Sequence, residues 1–303
     1  MWFKNLTLYR LAEPFALEHE PLDKALAEQA FQPVGRSVPL SQGWVAPLGR
    51  HGSQFCHSVG RYSMVCLRRE ERLLPSSVVN EQLAERIEQI ELNEGRSVRR
   101  KEKQQLRDEL VQTLLPQAFT RSSRQFAYID RQHGWLVVDS ASARRAEELL
   151  IALRESMEAA GQSLRVRLAQ THESPRILMT QWLAGEGIPA GFELGEDYEL
   201  QDPQNEGAVV RCRHHDPFAE EIQAHLAAGK QVSKLALEWR ERLSLVLDEA
   251  LVVRRLRIAD ALQEEAGGEG DPVSEFDADF ALMSMELSRF IAELMTAFGG
   301  EAE

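Results

Sequence analysis

Over residues 76–116 the apolar side chains fall at helical spacing twice, with a short turn between. Val79, Leu83, Ile87 and Ile90 follow at intervals of four, four and three, which places them on one face of a helix. Asn93-Glu94-Gly95 closes that helix, with Gly95 as a left-handed cap. A second helix is expected from near Ser97. It carries Leu106, Leu110 and Leu114 until Pro116 removes the next backbone donor. Two helices joined by so short a link lie antiparallel. The expectation is a protruding helical hairpin that the rest of the chain must hold.

That rest mixes strands and helices without strict alternation. Residues 3–11 read as a first strand and 21–31 as a helix. Residues 33–53 are rich in Pro, Gly and Ser and read as a loop ordered by Trp44 and Val45. Two strands are expected over 55–69, around Gly60-Arg61. A strand hairpin follows over 126–139, turning at Arg131-Gln132-His133-Gly134. Ser140-Ala141-Ser142 can cap a helix over 143–160, and 164–169 is a strand. A short helix over 175–183 precedes strands at 192–200 and 208–213. A helix over 217–228 ends at Gly229, and a meander runs through 232–239, 243–247 and 251–258. After a flexible break at 267–272, a last helix over 276–298 shows Phe280, Met283, Leu287, Phe290, Ile291 and Leu294 on one face. The class is α+β with mixed antiparallel sheets.

Charge narrows function. The chain has 303 residues and a net charge of −13. A nucleic-acid binder of this composition must gather its cations locally. They are densest at Arg96, Arg99, Arg100, Lys101, Lys103 and Arg107, against one acid, Glu102. On a helix, Arg96, Arg100, Lys103 and Arg107 form one stripe. The helix dipole disfavours cations in a first turn, so a functional reason is weighed against a solvated face paired with acids of the first helix. Downstream, Phe119 stands beside Arg121 and Arg124 with Ser122 and Ser123 between. Arginine grips phosphate, serine donates to it and an exposed ring stacks or wedges. Phe119 could equally anchor the loop to a core or a partner subunit.

Arg211, Arg213, His214 and His215 make a third cluster, with Lys230 and Lys234 beyond it. Its histidines add charge only as pH falls. Arg254, Arg255 and Arg257 read as an exposed strand face. From Gln263 onward Arg289 is the only basic residue, an acidic end that repels DNA. Cys212 with the two histidines lacks the second pair of a zinc finger, so no metal is expected, and no cofactor. The phosphate loop, the nucleophile elbow and the zinc-protease helix motif are all missing. His214-His215-Asp216 beside Glu220 and Glu221 has the residue types of a metal nuclease, but no lysine completes it. Three cysteines with no close pairing suit a reducing compartment. The N-terminus lacks a signal-peptide core, and no window approaches the roughly 18 apolar residues of a membrane span. A cytoplasmic location and no membrane partner are expected.

WFKNLTLYRL, GWVAPLG, ERLLPSSVV, LLPQAFTR, LVVDSASARRAEELL, LALEWRERL and DADFALMSMEL, with the terminal GGEAE, resemble the recombination-associated RdgC family of proteobacteria, in order over essentially the whole chain. The resemblance implies a non-enzymatic, nucleoid-associated protein that binds single- and double-stranded DNA with little sequence preference. It implies a ring-shaped homodimer with a positively lined hole that restrains RecA-promoted strand exchange. The family has centre, tip and base regions, which map here to 1–75 with 117–174, 76–116 and 175–303. LLPQAF is similar to the family segment where protomer and DNA contacts are expected. On that basis Leu106, Leu110, Leu114 and Phe119 are the candidate dimer contacts. Where the family has lysine-like cations this chain has Arg213-His214-His215, a weaker or more pH-dependent surface.

Three functions are therefore in play. The first is the DNA-binding ring, with Arg96, Arg99, Arg100, Lys101, Lys103, Arg107, Phe119, Arg121, Arg124, Arg211, Arg213, His214 and His215 as candidate contacts. The second is a regulator that touches RecA directly through its acidic end, with DNA secondary. The third is the metal nuclease.

Overall fold

The computed structural model describes residues 1–266 and 270–302; Gly267, Gly268 and Glu269 of the expected break, and Glu303, lie outside them. In chain order the elements are β1 (Thr7–Leu11), α1 (His19–Glu28), β2 (Leu40–Val45), β3 (Cys56–Val59), β4 (Tyr62–Arg72), α2 (Ser76–Glu94), α3 (Arg100–Leu114), β5 (Thr120–Asp130), β6 (Trp135–Val138), α4 (Ala143–Ala159) and β7 (Val166–Leu168). Then come α5 (Pro175–Leu183), β8 (Phe192–Asp202), β9 (Asn205–Cys212), α6 (Glu220–Ala227), β10 (Gln231–Trp239), β11 (Leu243–Asp248), β12 (Val253–Ile258), α7 (Asp260–Ala266) and α8 (Pro272–Ala297). This is an α+β fold with antiparallel sheets. The chain divides into two compact units, one of Met1–Glu28, Ala46–Cys66 and Gln125–Glu303, the other of Gln29–Val45 and Leu67–Arg124.

The larger unit holds two sheets. In the first the strand order is β3, β4, β5, β6, β1, β7. Thr7 faces Val138 across β1 and β6, and Asp130 faces Trp135 across β5 and β6. The second is ordered β12, β11, β10, β8, β9, with all four pairings antiparallel. The expected meander is present. Alternation along LALEW buries Leu235, Leu237 and Trp239, the signature of a sheet covered on one face. The cover includes α8, whose Phe280, Met283, Leu287, Phe290, Ile291 and Leu294 are all buried. Phe280 meets Tyr62 and Tyr128 edge-on, and Phe290 meets Trp239 in the same way. Asp271 caps α8 through the amides of Val273 and Ser274, and Ser142 caps α4 through Arg145.

The smaller unit contains α2, α3 and the sheet formed by β2 with the outer halves of β4 and β5. The stretch expected to be a loop over 33–53 contains β2. Trp44 is buried there, and its backbone exchanges hydrogen bonds with Gln29 and Phe31. Gly43 permits this approach, since a Cβ there would lie 2.5 Å from the Phe31 Cα. Other boundaries shift. β1 begins at Thr7, α6 at Glu220, and α7 was not foreseen.

Candidate nucleic-acid interface

The densest cationic run lies in the smaller unit, on the link from α2 to α3. Gly95 ends α2 in the left-handed region at φ 62°, and its amide donates to Glu91 O at 3.0 Å. Glu91 then turns its side chain to the Val98 amide at 2.9 Å. These bonds postpone the second helix to Arg100. Arg96 and Arg99 therefore lie before it, and the expected four-residue stripe shrinks to Arg100, Lys103 and Arg107. Arg107 is itself tied down, donating to Asn80 Oδ1 of α2 at 2.8 Å.

Arg96 is neutralised. Its Nη1 and Nη2 each meet a Glu102 oxygen at 2.7 Å, and its Nε meets Glu94 at 2.7 Å. The hydrogen bonds from Arg96 hold the Glu102 carboxyl below the ordinary range, and those from Glu102 and Glu94 raise the Arg96 guanidinium in turn. Arg96 is exposed and Glu102 only half-buried, so the pair adds little stability. What it changes is the available charge. Arg100, Lys101 and Lys103 remain exposed, with no side-chain hydrogen bond or ion pair among the described residues. Arg99 is exposed beside them and precedes a helix with no side-chain N-cap. The partial positive charge of the free first-turn amides adds to theirs.

Leu106, Leu110 and Leu114 are half-buried. Val79 and Leu83 of α2 are buried, whereas Leu92, near the end of that helix, is 76% exposed. Leu92 falls outside the four-four-three stripe and so was missed.

Residues 120–124 are strand, not loop, because β5 already begins at Thr120. A strand sends adjacent side chains to opposite faces, so Arg121 and Arg124 do not converge on one phosphate. Arg121 pairs with Glu71, which also holds Arg69 at 3.1 Å. Ser122 donates to Glu70 at 3.0 Å and accepts from Arg68 at 3.0 Å. Arg124 is exposed, and its side chain makes no hydrogen bond or ion pair among the described residues. Phe119 is 85% exposed, held only through its backbone, whose carbonyl accepts from Leu73 N at 2.7 Å. Fifteen residues of α3 rising about 1.5 Å each put the Arg100 end roughly 20 Å from the Phe119 end. The cations and the ring are separate features of this unit.

The third cluster, in the larger unit, is largely compensated. Arg211 and Lys234 share Glu199 at 2.8 and 3.0 Å. Burial pushes the Glu199 carboxyl up, but its bonds to Arg211, Lys234 and Ser233 hold it below the ordinary range overall. A cavity of about 310 Å³ brings Arg211 and Arg213 together with Arg254 and Arg255. Arg254 is bound to Asp248 at 2.7 Å and Arg255 to Asp197 at 3.0 Å. The expected exposed face at 254–257 is thus partly an ion-paired wall. Arg255 sits at φ 51°, where the β11–β12 register shifts between Ser244 and Val246. Arg213 alone of these five cations has no ion pair among the described residues. His214 is exposed at φ 50°, 3.9 Å from Glu196. His215 turns to the Tyr198 hydroxyl at 3.4 Å. Among the described residues no three His, Cys, Asp or Glu side chains are grouped to hold a metal, and no helix is long and apolar enough to cross a membrane.

A family model described as "Putative exonuclease, RdgC" matches residues 1–301. The recombination-associated protein RdgC of Aeromonas hydrophila is 42% identical over 305 residues, covering 100% of this chain and 99% of the relative. Proteins of the same name from Pseudomonas putida strain GB-1 and Yersinia pestis strain Pestoides F are 42% and 40% identical, each over at least 98% of both chains. A match of this identity along the full length, with no region left over, shows that the chain belongs to the RdgC family.

Proposed function

We propose that this chain is a homodimeric, sequence-independent binder of single- and double-stranded DNA. It encircles DNA as a ring and so restrains RecA-promoted strand exchange on the nucleoid. The observation that carries the reading is the exposed block Arg99, Arg100, Lys101 and Lys103 at the uncapped start of α3, on a chain of net charge −13. A surface so concentrated, and free of intramolecular acids at three of its four members, suits a phosphate backbone. It offers no groups matched to particular base edges. The helices α2 and α3 form the protruding tip of the earlier division into centre, tip and base. Leu106, Leu110, Leu114 and Phe119 provide the contact between protomers there. Arg124 and Arg213 add single phosphate contacts. The relatives' name, recombination-associated, supports the biological setting.

The test is binding of random-sequence duplex and single strands by fluorescence anisotropy across salt. Affinity should be similar for unrelated sequences and fall with a slope of about −0.9 per neutralised phosphate on duplex. Failure to retain either form at low salt would refute the proposal.

Two other readings have specific support. The acidic end of the chain, where Arg289 is the only basic residue after Gln263 and Glu275 of α8 is exposed, favours a direct contact with RecA; capture of RecA from nuclease-treated extract would support it. The family description names an exonuclease; release of nucleotides from DNA ends with magnesium or manganese would establish it and displace the non-enzymatic reading.

A further inference from the structure

The turn between β5 and β6 is built around one carboxylate. Asp130 is 2% exposed. Its Oδ1 accepts from the amides of Gln132 at 3.1 Å and His133 at 3.0 Å. Its Oδ2 accepts from the Ser288 hydroxyl at 3.0 Å and meets His133 Nδ1 at 2.9 Å. A carboxylate only accepts, so Nδ1 carries the proton of the neutral ring. Nε2 is then an acceptor, and it makes no hydrogen bond among the described residues. Ser288 Oγ also lies 3.0 Å from Nδ1, but it gives its proton to Asp130, so this is not the relay of a serine hydrolase.

His133 borders an open cavity of about 460 Å³ together with Arg10, Glu13, Arg131, Ser288 and Glu301. Arg10 is fixed there. It lies over Trp135 at 5.1 Å, pairs with Glu301 at 2.9 Å and donates to the His133 carbonyl. Gly134 admits it, since a Cβ there would lie 3.0 Å from Arg10 Nη1. Arg131 is 16% exposed and gives Nη1 to Glu18 at 2.7 Å, but its Nη2 is buried with no hydrogen-bond partner. A buried donor left unmade is costly. The walls therefore hold one unused acceptor, on His133, and one unused donor, on Arg131.

Charge narrows what can use both. Arg10 and Arg131 are balanced in the lining by Glu301 and Glu13, so a dianion gains no net attraction. An ionised carboxylate or a phosphate diester brings acceptors but no proton for Nε2. A phosphate monoester that keeps one proton is a monoanion with both an O–H and accepting oxygens. We infer that this cavity binds a singly protonated phosphate monoester, its P–O–H donating to His133 Nε2 and a second oxygen accepting from Arg131. The inference does not depend on the DNA reading above, because the backbone of DNA is a diester.

The test is NMR of the histidine rings in the full chain, with the His133 signals identified by their loss in His133→Gln. At mildly alkaline pH the ring nitrogens should report the Nδ1–H form; the Nε2–H form would overturn the inference. Phenyl phosphate at about pH 6, where roughly half of a monoester keeps its second proton, should move the His133 signals saturably. Dimethyl phosphate should not. Arg131→Gln should weaken the response about tenfold, whereas Arg144→Gln, an exposed arginine of α4, should leave it unchanged. The same chemistry has two sources, a small free monoester and the phosphorylated end of a strand. An end-phosphorylated oligonucleotide that moves the signals where its unphosphorylated twin does not assigns the site to strand ends; phenyl phosphate acting alone assigns it to small monoesters. No saturable response to either, an equal response to dimethyl phosphate, or equal losses in the two arginine variants overturns the site.

Discussion

Glu102 holds Arg96 through two hydrogen bonds of 2.7 Å each, although Arg96 lies outside the helix that carries Glu102. The consequence is a ranking among cations that are neighbours in sequence. Arg96→Ala should leave DNA affinity within about twofold, since its charge is already matched. The triple change Arg100→Glu, Lys101→Glu and Lys103→Glu should weaken binding to all sequences alike. It should also flatten the salt slope by about 2 to 3 units. Titration at several salt concentrations reads both.

Phe119 is the most exposed large apolar side chain, and its ring contributes nothing to the protomer's core. Phe119→Ser should therefore change the unfolding free energy of the isolated chain by no more than about 0.5 kcal/mol. Dimer dissociation at the tip should increase. Sedimentation equilibrium against concentration, beside a denaturant titration, separates the two effects.

Glu199 carries the pH dependence of the third cluster. Its folded carboxyl lies below the ordinary value near 4.5. It therefore contributes stability that is present above that value and lost as pH falls through the folded one. The unmodified chain should lose melting temperature faster than Glu199→Gln on acidification below about pH 5. At neutral pH the variant should be the less stable of the two. Parallel melting curves from neutral to strongly acidic pH would show the two lines converging.

Phe280 is 1% exposed and packs on Tyr62, Tyr128 and His57. Phe280→Ala should cost about 3–5 kcal/mol. DNA affinity should be retained at temperatures where the variant remains folded, because the ring touches no candidate contact. Urea unfolding measures the first and anisotropy the second.

Gly43→Ala should be destabilising by about 1–3 kcal/mol through overpacking, because the added methyl would meet the Phe31 backbone at 2.5 Å. Gly60→Ala meets nothing within 4 Å. Its cost is the positive φ of 58° alone, about 1 kcal/mol. Comparing the two unfolding free energies tests close approach against backbone strain.

The parts of this fold that could be read from the chain are those where local pattern and burial agree. The α8 face, the β10–β12 meander and the Gly95 cap were legible because periodicity and a single backbone requirement determine them. β2 was not, because Ser41, Gln42 and Gly43 read as turn residues until Trp44 finds its partners at Gln29 and Phe31. The candidate site was legible as a charge run but not as a set of available charges. Which arginines are spoken for depends on Glu94, Glu102, Glu71 and Asn80, and spacing alone did not show that Arg96 would stop short of the helix. The convergence of Arg254 and Arg255 on the Arg211 cavity joins segments some forty residues apart in the chain, which no local pattern encodes.

The hydrogen bond from Leu73 to the Phe119 carbonyl at 2.7 Å has a consequence for how this family can vary. The chain leaves β4 and returns to β5 at the same point, so everything between is an excursion whose ends already meet. Doubling the length of such a loop costs only about 0.6 kcal/mol in closure entropy. Whole helical turns can be added to or removed from α2 and α3 together without disturbing the sheet beneath. The reach of the pair is thus free to be tuned by selection, or by design, independently of the fold that carries it.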